Sequence, residues 1–188
     1  VNSVISQPKG AHYFVLPELA LPAHWFLRMA LKLQGRGISL IAGIEYLHTS
    51  KGRVRNQLWA ALSHDGLGFR STMIYRQDKQ RPALHEEQEL QRLSGLEMKP
   101  ETIWKTPPIV QHGDFRFGML VCSELTNISY RASLRGQVDA LFVPDVAACA
   151  RAGGAGAARL GSQCPDERNS GANASRSVLG SRCGQLPV

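Results

Sequence analysis

Gly113 to Asp145 reads GDFRFGMLVCSELTNISYRASLRGQVDALFVPD. Phe115 to Val121 is a short apolar run with aromatic and β-branched residues and one glycine, the composition of a buried strand. It stops at Cys122. Ser123, Glu124, Thr126 and Asn127 follow as turn and capping side chains, and Ile128 to Arg135 has the composition of a helix. After Gly136 a second apolar run, Ala140 to Val143, completes a strand, helix, strand unit. The thiol is thereby placed at a strand-to-helix turn. Backbone N–H groups and a helix N-terminus are expected to face it there, lowering its pKa and offering donors to a developing oxyanion.

The 188 residues are enough for one domain with a sizeable core, and the 43% hydrophobic fraction is ordinary for a globular protein. The net charge of +7 is spread along the chain. Residues 1–146 hold 17 Lys and Arg against 13 Asp and Glu, and residues 147–188 hold 5 against 2. Basic residues scattered among acids make a solvated mixed surface and argue against nucleic-acid binding. No stretch approaches the ~20 apolar residues of a membrane helix, and no charged segment followed by an apolar one opens the chain. The expectation is a cytoplasmic protein with no membrane partner. The cysteines at 122, 149, 164 and 183 form no CxxC pair, which argues against a structural zinc site and a disulfide framework.

The same alternation of strand and helix extends upstream. Tyr13 to Leu16 is a short strand ending in Pro17-Glu18, so it delivers a carboxylate at its tip. Leu19 to Gln34 is read as an amphipathic helix with Leu21, Trp25, Leu27 or Arg28, Met29 and Leu31 or Lys32 at helical spacing and Pro22 near its first turn. Ile38 to Tyr46 is a strand covered on both faces. Arg55 to Ser63 and Gly68 to Arg76 form a hairpin about His64-Asp65-Gly66, which closes near Lys79. Pro82 to Leu93 is a polar, helical stretch with His85, Glu86, Glu87 and Glu89. Leu96 to Gln111 is a loop with an edge strand. From residue 147 the character changes: 9 Ala, 7 Gly and 5 Ser, with no Phe, Tyr or Trp, are too little apolar area to offset ordering. Two regions are therefore expected, a domain over 1–146 and a disordered or low-complexity tail over 147–188.

Three strand ends thus carry Glu18, Lys79 and Cys122, and the ends of strands in an α/β sheet open onto a shared crevice. The expectation is that they meet at one mouth of a single sheet, within about one water of one another. The chemistry of the set is coherent. A thiol attacks an acyl or nitrile carbon, a carboxylate takes the thiol proton and later activates water, and an ammonium stabilises the tetrahedral oxyanion. Thiol, carboxylate and ammonium suffice for this, so no metal or organic cofactor is called for.

In order and context, FVLPEL, IYRQDKQRPALHEE and GDFRFGMLVCSEL resemble the Glu-Lys-Cys signature of the nitrilase superfamily, the carbon–nitrogen hydrolases. VDALFVPD is similar to that family's next strand, and the likeness covers residues 13 to 145. The resemblance implies an αββα sandwich with mixed sheets, pairing with a second copy as a homo-oligomer. It also implies hydrolysis of a small amide or nitrile through a thioester intermediate. Glu18 would be the general base, Lys79 the oxyanion stabiliser and Cys122 the nucleophile, with the Ser123 N–H completing the oxyanion hole. A second glutamate after the lysine would be Glu86, or its neighbour Glu87. The family's domain normally continues past the strand at Ala140 to Val143, so the sandwich is expected to be incomplete and truncated on its C-terminal side.

Blander readings stand beside these. Cys122 alone would be a small buried hydrophobe, Glu18 a first-turn acid, Lys79 a solvated charge, and Glu86 or Glu87 part of an exposed helix face. Glu124 reads as structural, bonding nearby backbone N–H groups. A cysteine paired with one of His12, His24, His48, His64, His85 or His112 is the competing enzyme reading. The alternative from another class is a truncated or degenerate fragment without catalysis, at most a binding protein.

Overall fold

The computed structural model describes residues 11–49, 52–66 and 68–145. The elements run β1 (Tyr13–Val15), α1 (Ala23–Gln34), β2 (Ser39–Thr49), β3 (Arg53–His64), β4 (Ser71–Asp78), α2 (Leu84–Ser94), β5 (Glu97–Met98), β6 (Ile109–His112), β7 (Phe115–Met119), α3 (Ile128–Leu134) and β8 (Ala140–Phe142). A 3-10 helix over Cys122–Thr126 leads into α3.

Two mixed sheets pack face to face. In the first, β1 lies parallel to β2, β2 antiparallel to β3 and β3 antiparallel to β4. Where β4 ends, the short β5 takes over beside Arg53 and Val54 of β3. The second sheet has the order β6-β7-β8, with β7 and β8 parallel, as the strand, helix, strand reading requires. Period-two alternation divides the first sheet's side chains between its faces. Leu40, Ala42, Ile44, Trp59 and Ala61 pack against Phe26, Ala30 and Leu33 of α1. Ile41, Leu58, Ala60 and Leu62 face Phe117, Met119 and Val121 of the second sheet. On the outer side of that sheet, Gly118 leaves room for Leu134 of α3, whose methyl carbons lie 3.0 and 3.1 Å from where a Cβ would stand. The layers are therefore α, β, β, α.

Several boundaries differ from the sequence reading. Helix α1 begins at Ala23, not Leu19, because Leu19 sits at φ 55° and Pro22 occupies the N-cap. Its buried stripe is Phe26, Ala30 and Leu33, while Trp25 and Leu31 are exposed, so the expected apolar side is rotated. Later start and shifted phase have one cause, a turn at Glu18-Leu19 that consumes the residues read as the first helical turn. β7 ends at Met119 rather than Val121, since the chain turns into the 3-10 helix. Helix α2 closes as a helix should, on Gly95 at φ 62°, whose N–H reaches back to the carbonyls of Gln91 and Leu90. Among the described residues no helix is long and apolar enough to cross a membrane. The tail expected over 147–188, and the domain boundary drawn before it, lie outside the described residues.

Candidate active site

Glu18 is placed by a turn stitched to β2. The chain leaves β1 with Leu16 N–H donating to the Ile41 carbonyl, and Gly43 N–H donates to the Pro17 carbonyl. Ala20 N–H then returns to the Gly43 carbonyl at 3.0 Å. The approach is so close that a Cβ on Gly43 would stand 2.4 Å from the Glu18 Cα. The carboxylate is carried into the layer between the sheets and is buried.

Lys79 follows β4 immediately. Its N–H extends the β3–β4 ladder to the Asn56 carbonyl at 2.8 Å, so Lys79 and Asn56 stand across from each other on the inner face. The ammonium is 2% exposed. It donates to Glu18 Oε1 at 2.9 Å and to Glu86 Oε2 at 2.5 Å. Glu86 enters from the first turn of α2, where Oε2 also accepts the Ala83 N–H at 3.0 Å. Asn56 bridges the same carboxylates a second time, its Nδ2 donating to Glu18 Oε1 at 2.7 Å and to Glu86 Oε1 at 2.9 Å. Tyr46 adds a hydroxyl donor to Glu86 Oε1 at 2.7 Å. Burial alone would lower the Lys79 pKa, but its bonds to Glu86 and Glu18 overcome that and raise it. Glu86 is the mirror case: burial would raise it, and the bonds from Lys79, Tyr46 and Asn56 bring it below the ordinary carboxylate value. Glu87 is exposed on the same helix and stays outside this network.

Cys122 belongs to the other sheet. The expected single-sheet mouth is therefore corrected: Glu18 and Lys79 leave the first sheet, Cys122 leaves β7 of the second, and the centre lies between them. Two side chains tie the sheets at this edge. Gln77 Nε2 donates to the Met119 carbonyl at 2.7 Å. Glu124, buried on the 3-10 helix, accepts the Gln80 N–H at 2.7 Å on one oxygen and the Val121 N–H at 2.9 Å on the other. The turn after Lys79 and the turn before Cys122 are thus clamped by one carboxylate, which bears out its structural reading. Burial raises the Glu124 pKa against these two bonds.

Cys122 holds φ at 45°, a strained backbone for a residue with a side chain, and its thiol faces Glu18 and Asp145. The sulfur lies 3.5 Å from Asp145 Oδ1. Burial, then Glu18, then Asp145 push the thiol up to about 12. The expected lowering is thus reversed, because desolvation and two like-charged neighbours outweigh the dipoles of a single 3-10 turn. Ser123 is half-buried and lines a cleft of about 330 Å³ shared with Arg81, Ala83 and Tyr130. Among the described residues no group of three or more His, Cys, Asp or Glu is placed to hold a metal ion.

Sequence reasoning singled out Glu18, Lys79, Cys122 and Glu86 or Glu87, and the structure places Glu18, Lys79, Cys122 and Glu86 side by side. It missed Tyr46, Asn56, Asp145 and the role of Gly43. An asparagine beginning the apolar run NQLWAAL was the available signal, since a buried polar side chain needs partners.

No protein-family model matches the chain, and no curated protein matches it. Solved structures with a similar course of the chain include an amidase from Nesterenkonia sp., 18% identical, with a TM-score of 0.45 over 73% of this chain and 52% of that one. A mutant of the Nesterenkonia AN1 amidase, described as from the nitrilase superfamily, is 18% identical over 73% of this chain and 53% of its own, with a TM-score of 0.45. The glutamine-dependent NAD+ synthetase from Acinetobacter baumannii is 17% identical, with a TM-score of 0.45 over 73% of this chain and 26% of that one. The chain spans about half the length of the amidases and about a quarter of the synthetase. At this level of likeness the chemistry of the site rests on the chain's own side chains.

Proposed function

We propose that this chain carries the catalytic centre of a carbon–nitrogen hydrolase acting on a small amide or nitrile through a thioester on Cys122. The observation that carries this reading is the buried Lys79 ammonium shared between Glu18 and Glu86, with the Cys122 thiol against Glu18. Glu18 Oε1 is held by Asn56 and Lys79, which leaves Oε2 to accept the thiol proton. An ammonium has three donors, and the two carboxylates take two of them. The third is available to the oxyanion, with the Ser123 N–H as the second donor.

With an amide, the sulfur attacks the carbonyl carbon as Glu18 takes the thiol proton, and the tetrahedral oxyanion collapses as Glu18 returns that proton to the departing ammonia. Water then gives a proton to Glu18 and its oxygen to the thioester, and collapse releases the acid and restores the thiol. The sum is amide plus water to acid plus ammonia. Because burial and its carboxylate neighbours push the thiol up to about 12, it rests protonated at neutral pH, and Glu18 is the group that takes its proton for attack.

Ammonia release from a panel of small amides and nitriles, together with mass spectrometry of an acyl adduct on Cys122, tests the reading. Cys122→Ala is expected to abolish both signals, and Glu18→Gln to slow turnover by about 10²–10⁴-fold. Neither ammonia nor adduct with any panel member, from a folded protein, would overturn it. The resting state of the thiol favours a second reading, a non-catalytic relative that at most binds a partner. In that case the cysteines label by exposure alone, with no selectivity for Cys122.

A further inference from the structure

Cys122 meets two carboxylates, and only one of them has a place in the reaction above. The other, Asp145, is put there by strand register. β7 and β8 pair in parallel with Phe117 opposite Ala140, Gly118 opposite Leu141 and Met119 opposite Phe142. Three residues beyond the last pair on each strand come Cys122 and Asp145, still abreast although both strands have ended. The ladder keeps contact as it opens, Leu120 N–H donating to the Phe142 carbonyl at 3.0 Å. Asp145 Oδ1 then accepts from the thiol at 3.5 Å, within the reach of a sulfur hydrogen bond.

A thiol has one proton, and here it has two carboxylate acceptors on different sheets. Glu18 approaches from the β1 side, with Lys79 at the end of β4 and Glu86 on α2 bonded to or through it. Asp145 approaches from the β8 side. Glu124, also charged at this edge and sharing the cleft with Arg81, is occupied by two backbone N–H groups. We propose that Asp145 is a positioning residue that holds the Cys122 thiol proton away from Glu18 at rest, so that the nucleophile stays unreactive until substrate entry turns the S–H toward Glu18. In that step the S–H bond breaks and an O–H bond forms on Glu18, while Asp145 gains and loses nothing but a hydrogen bond. The proposal rests on Cys122 being the nucleophile of the reaction above, but its test needs no turnover.

The experiment is the pH profile of iodoacetamide alkylation at Cys122, followed by mass spectrometry, on the full chain with Cys149, Cys164 and Cys183 replaced by serine. Asp145→Asn is expected to move the profile to lower pH and to speed alkylation near neutral pH by about tenfold or more. Asp145→Glu, which restores an acceptor, is expected to stay close to the parent, as is Asp139→Asn, whose carboxylate faces Arg116 at 3.9 Å. Should Asp145→Asn lose its thermal transition, Asp145→Ser removes the charge with a shorter side chain and carries the same expectation. An unchanged or slower profile in the folded uncharged variant overturns the proposal. Ammonia release, measured separately, tells whether hydrolysis itself fails: a shifted profile without ammonia leaves Asp145 in its role beside an inert thiol.

Discussion

Among the described residues Lys79 is the most deeply buried charge, and it is tolerable only because Glu18 and Glu86 receive it. The pKa directions of Lys79 and Glu86 fix how these two respond to pH. Glu86 titrates below its ordinary value, so its contribution is in place above about pH 4.3 and is lost as pH falls through the folded value. Lys79 titrates above its ordinary value, so its contribution is in place below about pH 10.4 and is lost as pH rises through the folded value. Replacing it as Lys79→Met leaves two carboxylates facing each other without a cation. We expect a loss of about 3–5 kcal/mol at neutral pH. That loss should shrink toward pH 5, because burial without the ammonium beside it favours the protonated Glu86 carboxyl, and urea melts at the two pH values check it. Cys122 stood out because it follows directly on a short apolar run, and Glu18 because it closes one after Pro17, where a polar residue needs a reason; Lys79, set in RQDKQR, stood out only in the company of the other two. Asn56 and Tyr46 did not, because they lie within strands, and which face of a strand meets the site is set by a partner strand the pattern does not identify.

At the scale of elements, the site is held by close approaches rather than by the long strands. Gly43 has no Cβ where the Glu18 backbone crosses β2, so Gly43→Ala must push the Glu18 turn away. The expected cost is about 1–3 kcal/mol, with loss of any Cys122 acyl adduct. Gly118→Ala meets only methyl groups of Leu134 at 3.0 and 3.1 Å, which move more easily than backbone, so its thermal melt should shift less. Glu124→Gln tests the clamp between the two turns. A glutamine offers one acceptor oxygen where two N–H groups must be met, and the side-chain NH₂ then opposes one of them. A loss of about 1–3 kcal/mol is expected, read as a lower melting temperature and as faster amide exchange at Gln80 and Val121. Helix α1 shows where pattern failed at this scale. Its residues repeat hydrophobically, but the turn at Leu19 and Pro22 moved both its start and its buried stripe.

Across the whole molecule, one apolar layer joins both sheets and carries the site at its edge. Tyr13 of β1 packs its ring against Phe115, Phe117 and Phe142 of the second sheet, at centroid separations of 5.5, 5.9 and 5.5 Å. Phe117 lies fully buried at the middle of that layer. Phe117→Ala is expected to cost about 3–5 kcal/mol and to lower the stability of both sheets together, so a single denaturant transition should move without splitting. The amino-acid sequence by itself determined the kinds of element, their order and the parallel β7–β8 unit, because hydrophobic period and turn residues are local properties. It also determined that an acid, an amine and a thiol stand at strand ends. Tertiary structure alone decided that these ends belong to two sheets, that Asn56 and Tyr46 complete the carboxylate network, and that Asp145 stands beside the sulfur. The reversal of the thiol's expected pKa was decided there too. Desolvation and charge depend on what is packed within a few ångströms, and residues tens of positions apart in the chain supply nearly all of it.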